Sequence, residues 1–305
     1  MCIRDSLNGD AVMSSCVVTG NTSSYGGGGV ASYSNGVMNN CTFWGNNSVN
    51  YGGGAYLNGN SMMNNCTLTG NWTAVNFGGG AYLVNNSVMN NCTLSGNWIA
   101  TAGNNGAGGG AALYNSSVLS NCIISGNTAG GLALGGGVYL YAGGTLKNCL
   151  LWGNTAMTNG GGAYLYGGGT LNNCTLSGNT AGLAGGGVYL ANMGTMSNSI
   201  VWGNTGGSSS NIMDFLGNGM VRYTCSGPLM TGAGNTGADP LFADTNSANY
   251  RLSSTNSPCF NTGSNDIWML SALDLRGKPR ILYDRVDMGA YEYTIIYRGT
   301  IFSGR

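Results

Sequence analysis

The sequence predicts an all-β chain: a single-stranded right-handed parallel β-helix, a three-sided solenoid with coils of about 25 residues. Three observations carry the prediction. Cysteine recurs at Cys16, Cys41, Cys66, Cys92, Cys122, Cys149 and Cys174, with spacings of 25, 25, 26, 30, 27 and 25, and Ser199 takes the same place 25 further on. Each unit repeats the same punctuation, Gly-Asn four residues after this column and then a triple glycine such as Gly52-Gly53-Gly54. Apolar residues alternate over short runs, with no helical period and no room for a helix in so short a unit. Right-handedness follows from the crossover rule for parallel strands.

Within a unit the elements follow in order. Met or Leu stands three residues before the column, at Met13, Met38, Met63, Met89, Leu119, Leu146, Leu171 and Met196. Asn precedes the column directly from Asn40 to Asn198, with Ser15 in the first unit; such a residue tolerates the left-handed backbone of a tight bend. Two residues after the column the side chain is always apolar, from Val18 and Phe43 to Leu176 and Val201. Period 2 therefore turns this residue and the cysteine inward on one strand. The glycine-led strand alternates likewise, with Ala or Val and then Leu inward and Tyr outward. The asparagines before the column and those of Gly-Asn are read together as internal ladders of amides. Eight coils at a spacing of ~4.8 Å make a rod of roughly 40 Å, each coil stable only with its neighbours.

All variation in length falls between Gly-Asn and the triple glycine. That loop has five residues in most units and ten in the fourth, Trp98 to Ala107. A single variable corner marks the face on which a solenoid carries its function.

The ends differ from the middle. Residues 1–6, MCIRDS, do not follow the repeat and read as a non-native start. The native protein is then expected to carry upstream coils, a cap and a signal peptide. Residues 7–213 hold about eight coils, the first one truncated. From 214 to 305 the composition changes and charge returns, and this part is expected to continue the solenoid in divergent coils.

Charge decides which functions are excluded. Net charge is zero and charged residues make up 7%, against a usual ~25%. Between Ala11 and Met213 the one charged side chain is Lys147. The coils thus offer no carboxylate pair, no calcium cage and no basic face for nucleic acid or anionic membrane. No apolar run reaches the length of a membrane span. Spacing near 25 without a CxxC pair, and with no His in the chain, argues against zinc. The expectation is a non-enzyme with no cofactor and no metal.

Two family resemblances appear in these residues. Gly53-Gly54-Ala55-Tyr56 and Phe43-Trp44-Gly45-Asn46 resemble the repeats of polymorphic outer-membrane proteins. The C-terminal part resembles the choice-of-anchor Q domain of bacterial surface β-helix proteins. It does so through five ordered blocks: Asp239-Pro240-Leu241-Phe242, Tyr250-Arg251-Leu252, Ser257-Pro258-Cys259, Asp274 to Arg280, and Arg285 to Glu292. Asn261 departs from the pattern, which usually carries Asp there. The resemblance implies an exported protein with an attachment signal beyond this domain; with the charge-free coils and the one variable corner, an extracellular or outer-surface adhesin or stalk is the expected function. No sorting motif is recognisable from Thr294 to Arg305, so the route of attachment is open.

Candidate contacts are aromatic. Tyr56, Tyr82, Tyr139, Tyr164 and Tyr189 form an outward column broken at Ala31 and Ala112. They read either as a ladder that ties coils together or as a platform for sugar rings. Trp44, Trp72 and Trp98 cluster beside the variable corner and read as a contact for a glycan or a cell-surface partner. The competing class is accordingly a carbohydrate-binding or inactive polysaccharide-lyase-like module. The Cys column reads as free buried thiols. Cys225 and Cys259 are a separate pair whose bonding stays open. The C-terminal acids are expected to tie down loops with Arg276, Arg280 and Arg285, and the chain is expected to be monomeric.

Overall fold

The computed structural model describes residues 5–100 and 106–295. The chain is an all-β parallel solenoid in which three sheets run its length, each with nine strands in simple coil-by-coil order. The tyrosine sheet runs from Asp5–Leu7 to Ile212–Asp214, the methionine sheet from Val12–Ser14 to Met220–Arg222, and the third from Val17–Thr19 to Cys225–Ser226. Register is kept column by column, Met38 beside Met63 beside Met89, and Phe43 beside Leu68 beside Leu94. These inward residues, with Ala55, Leu57 and the cysteines from Cys41 to Cys174, make one continuous core.

One feature differs from the sequence reading. A fourth sheet of eight strands, each two residues long, lies at the corner from Thr22–Ser23 to Thr205–Gly206, so the coil has four sides rather than three. Its inward residues Ser48, Thr73, Ile99 and Ala129 are small or apolar and buried, but two residues cannot establish a period. The solenoid has nine coils, the ninth lacking Gly-Asn and the cysteine column.

Glycine is required where coils meet. Gly52 holds φ +55, a left-handed turn, and a Cβ on Gly53 would fall 2.3 Å from the Trp72 carbonyl oxygen of the next coil. Bare backbone is what lets the corner strand pass at this distance.

After the ninth coil the chain leaves the spiral. Tyr223 and Thr224 bond with Ala233 and Thr236, and Met230 packs on the end of the core, so the open strand edge is covered. The antiparallel pair Phe242–Asp244 and Asn249–Leu252 follows. The segment then runs back along the rod. Asn198 Nδ2 donates to the Ser264 carbonyl at 2.9 Å, Asn148 Nδ2 to the Leu273 carbonyl at 2.9 Å, and Lys147 lies 5.2 Å from the Trp268 ring centroid.

Candidate functional site

A ladder of buried amides runs along the bend between the third sheet and the corner sheet. Asn71, fully buried, accepts from the Asn46 N–H at 2.9 Å and donates to the Phe43 carbonyl at 2.9 Å and to Asn97 Oδ1 at 3.1 Å. The pattern repeats through Asn97, Asn127, Asn154, Asn179 and Asn204, and Asn211 from the tyrosine sheet closes it. The asparagines before the cysteine column do not join it. Asn40, Asn65 and Asn91 are exposed at φ 54°, 55° and 53°, because the bend needs their left-handed backbone and turns the side chain out. In the last coils the same column, Asn148, Asn173 and Asn198, is buried under the returning C-terminal segment.

The tyrosine column faces outward but is only partly accessible. Tyr56, Tyr82 and Tyr164 are half-buried, whereas Tyr139 and Tyr189 are 9% and 7% exposed. Coil spacing nearly matches the distance at which rings stack, so neighbours occupy one another's faces: Tyr56–Tyr82 at 5.6 Å and 23°, Tyr139–Tyr164 at 5.6 Å and 19°, Tyr164–Tyr189 at 5.0 Å and 4°. Edges and hydroxyl groups, rather than ring faces, are left for solvent. Burial pushes the Tyr164 hydroxyl up to about 12 and raises Tyr82 and Tyr139 further.

The two gaps in the column are filled from two residues downstream. Tyr33 packs on Tyr56 at 5.6 Å beside Ala31, and Tyr114 packs on Tyr82 at 5.3 Å beside Ala112. Tyr51 and Phe77 from the corner, Tyr141 and Tyr166, and Phe215 extend the contacts into one band. The signal was present in the sequence as Ala-Ser-Tyr and Ala-Leu-Tyr, alternation that keeps Tyr on the same face two residues on.

The three tryptophans separate. Trp72 and Trp98 stack in the corner sheet, 6.0 Å apart at 10°, whereas Trp44 ends a strand of the third sheet and is 59% exposed. Beside Trp98 the next coil places Thr128. The far side of the indole therefore opens onto a groove of about 480 Å³ floored by Gly96, Gly126 and Gly130. The loop from Trp98 to Ala107 includes residues 101–105, outside the described residues.

The cysteines serve the bend. Each thiol from Cys16 to Cys174 donates to the carbonyl two residues before it, as Cys122 does to Ser120 at 3.2 Å. Ser199 repeats this bond to Ser197 at 2.8 Å. The nine described cysteines are free; Cys225 and Cys259 share a small apolar cluster, where the Cys225 thiol donates to the Ala238 carbonyl at 3.2 Å.

In the C-terminal module three buried carboxylates surround one buried guanidinium. Arg280 Nη2 lies 3.0 Å from Glu292 Oε1 and donates to the Asp287 carbonyl at 3.0 Å. Asp274 accepts the N–H groups of Arg276, Lys278 and Glu292 at 2.8, 2.7 and 2.9 Å, and Asp287 accepts that of Tyr293 at 2.7 Å. Burial raises Asp287 to about 6 and Glu292 to about 9, outweighing the pull of Arg280. These acids hold irregular backbone. Arg285 instead donates to the Gly263 carbonyl and lies over Tyr223. Among the described residues no group of His, Cys, Asp and Glu is arranged to hold a metal ion, and no helix is long and apolar enough to cross a membrane.

Comparison with known proteins gives one family match. The family model described as a right handed beta helix region matches residues 2–145. No curated protein matches the chain. Among solved structures, the crystal structure of the TibC-catalysed hyper-glycosylated TibA fragment spanning residues 55–350 aligns at 17% identity. The alignment covers 75% of this chain and 100% of that one, with a TM-score of 0.15.

Proposed function

We propose that this chain is a non-enzymatic β-helix protein exported to the bacterial cell surface, where its coils form a stalk and its outer side chains act in adhesion. The observation that carries this reading is the partition of chemistry. Nine coils are joined by neutral amide and aromatic ladders, while the charges gather in the module that folds back at one end. A rod held without ion pairs keeps its shape over a wide range of salt. The family match to a right-handed β-helix supports the architecture. The repeat blocks like those of polymorphic outer-membrane proteins, and the blocks like choice-of-anchor Q domains, support export and attachment. A glycan or cell-surface partner fits the neutral coils, and nucleic acid does not.

The test is protease treatment of intact bacteria that express the whole gene with its own flanking sequence. External proteinase K is expected to remove the chain without lysis. Protection until lysis overturns the surface reading.

One observation favours a second reading, carbohydrate binding by the coils. Trp98 is backed by Trp72 on one side and opens onto the Thr128 groove on the other, a rigid aromatic platform. Binding on a glycan array that disappears in W72A/W98A supports it, and an array without hits removes it.

A further inference from the structure

We propose that the C-terminal module carries a binding pocket for an anionic polymer of the cell envelope, held by Arg251, Arg276 and Lys278 through the polymer's carboxylate or phosphate groups. The assignment to the envelope rests on the surface reading above; the anion site rests on the following geometry.

A pocket of about 650 Å³ is lined by these three cations together with Ser253, Tyr293 and Thr294. Seven Lys and Arg side chains lie among the described residues, and three of them converge here in a chain of 7% charged residues. None of the three forms an ion pair among the described residues, where the one pair is Arg280 with Glu292. Burial and then Asp274 push the Tyr291 hydroxyl up, and Arg251 and Arg276, from separate parts of the module, both act against that rise.

The pocket is also held in shape. Asp274, 2% exposed, receives the backbone N–H groups of Arg276 and Lys278 on one carboxylate oxygen. Gly277 between them takes φ +77, which closes the turn and sends both cationic side chains outward. Arg251 stands on the strand Asn249–Leu252 and is steadied by Asn249 Oδ1 at 2.6 Å. Glu292 also lines the pocket, but its carboxyl is turned inward to Arg280 and the Asp287 N–H. Arg280 itself is fully buried behind Glu292 and is not part of the pocket lining. Cations grouped on one wall and paired with no carboxylate are what a chain of repeated anionic groups meets at least cost in order.

The experiment is titration of the whole chain with polygalacturonate in one arm, polyphosphate in a second and neutral dextran in a third. Saturable binding to polygalacturonate, polyphosphate or both, and none to dextran, is expected; the arm that binds identifies the group recognised. Affinity is expected to fall at least about tenfold between 50 and 300 mM salt, since exposed charges are screened. R251Q/R276Q/K278Q is expected to lose binding about tenfold or more, while R222Q, a cation outside the pocket, keeps it. No binding to either polyanion, or a triple variant that is folded by circular dichroism and binds like the parent, overturns the site. A chain that stays surface-exposed on cells but fails this titration loses the pocket and keeps the stalk.

Discussion

Tyr114 stands edge-on to Tyr82, ring centroids 5.3 Å apart at 75°, in the coil where the tyrosine column itself holds Ala112. The ring also reaches Tyr139 at 5.9 Å, so it joins the two stacked halves of the band across the gap. Y114A is expected to cost about 2 kcal/mol, less than a fully buried aromatic because the ring is half-buried. A112Y/Y114A, which moves the ring into the column, is expected to recover at least half. Hydrogen exchange of the flanking coils reads both, and unchanged protection in Y114A contradicts the bridging role.

The buried amide ladder is the second load on the rod. N71A removes the acceptor of the Asn46 N–H and the donor to Phe43, leaving polar groups unpaired in the core. The expected loss is about 3 kcal/mol. N64A, at the half-buried outer ladder with Asn39, is expected to cost under about 1 kcal/mol. Equal effects of the two variants in chemical denaturation would remove the distinction between inner and outer ladders.

How much of this was legible depended on period. The cysteine, methionine and Leu57-type columns recur at a fixed place in every coil, so their inward direction followed from alternation alone. The corner strands were hidden because two residues carry no period. The Asn40 column was placed inside because Asn serves equally as a ladder amide and as a left-handed bend, and composition does not separate the two. Alternation turns the tyrosines outward, but their loss of free faces is a consequence of coil spacing that no single coil contains. The return of the C-terminal segment over Asn148 and Asn198 depends on contacts 125 and 66 residues apart, beyond any local pattern.

Asp287 and Glu292 make the docking of that segment sensitive to pH. In the unfolded chain such groups ionise near about 4. In the folded chain they keep their protons to about 6 and about 9. Stability is thus fully present below about 4 and declines as pH rises through these values, by at most about 1.4 kcal/mol per unit for each group still protonated. Trypsin cleavage at Arg276 is expected to accelerate from pH 5 to 9, after correction for the enzyme's own profile. E292Q flattens the upper part of that change. Slower cleavage at higher pH contradicts the assignment.

The thiol column is expected to need no oxidation. The chain has ten cysteines, and titration of the denatured chain without reductant should find at least nine thiols, the nine described ones among them. C122S is expected to fold, since Ser199 makes the same bond to the carbonyl two residues before it. A count short by a pair places a disulfide in the chain, and Cys225 with Cys259 is where it belongs.

On the function proposed above, this rod holds on to polymers and cells without transforming them. The most direct measurement incubates the whole chain with polygalacturonate and with neutral polysaccharides, and follows polymer retention together with the appearance of reducing or unsaturated ends. The account predicts retention of polygalacturonate or another polyanion with no new ends over the no-protein control. Release of oligosaccharides in proportion to added chain, lost when Asp287 or Glu292 is changed to its amide, would contradict it.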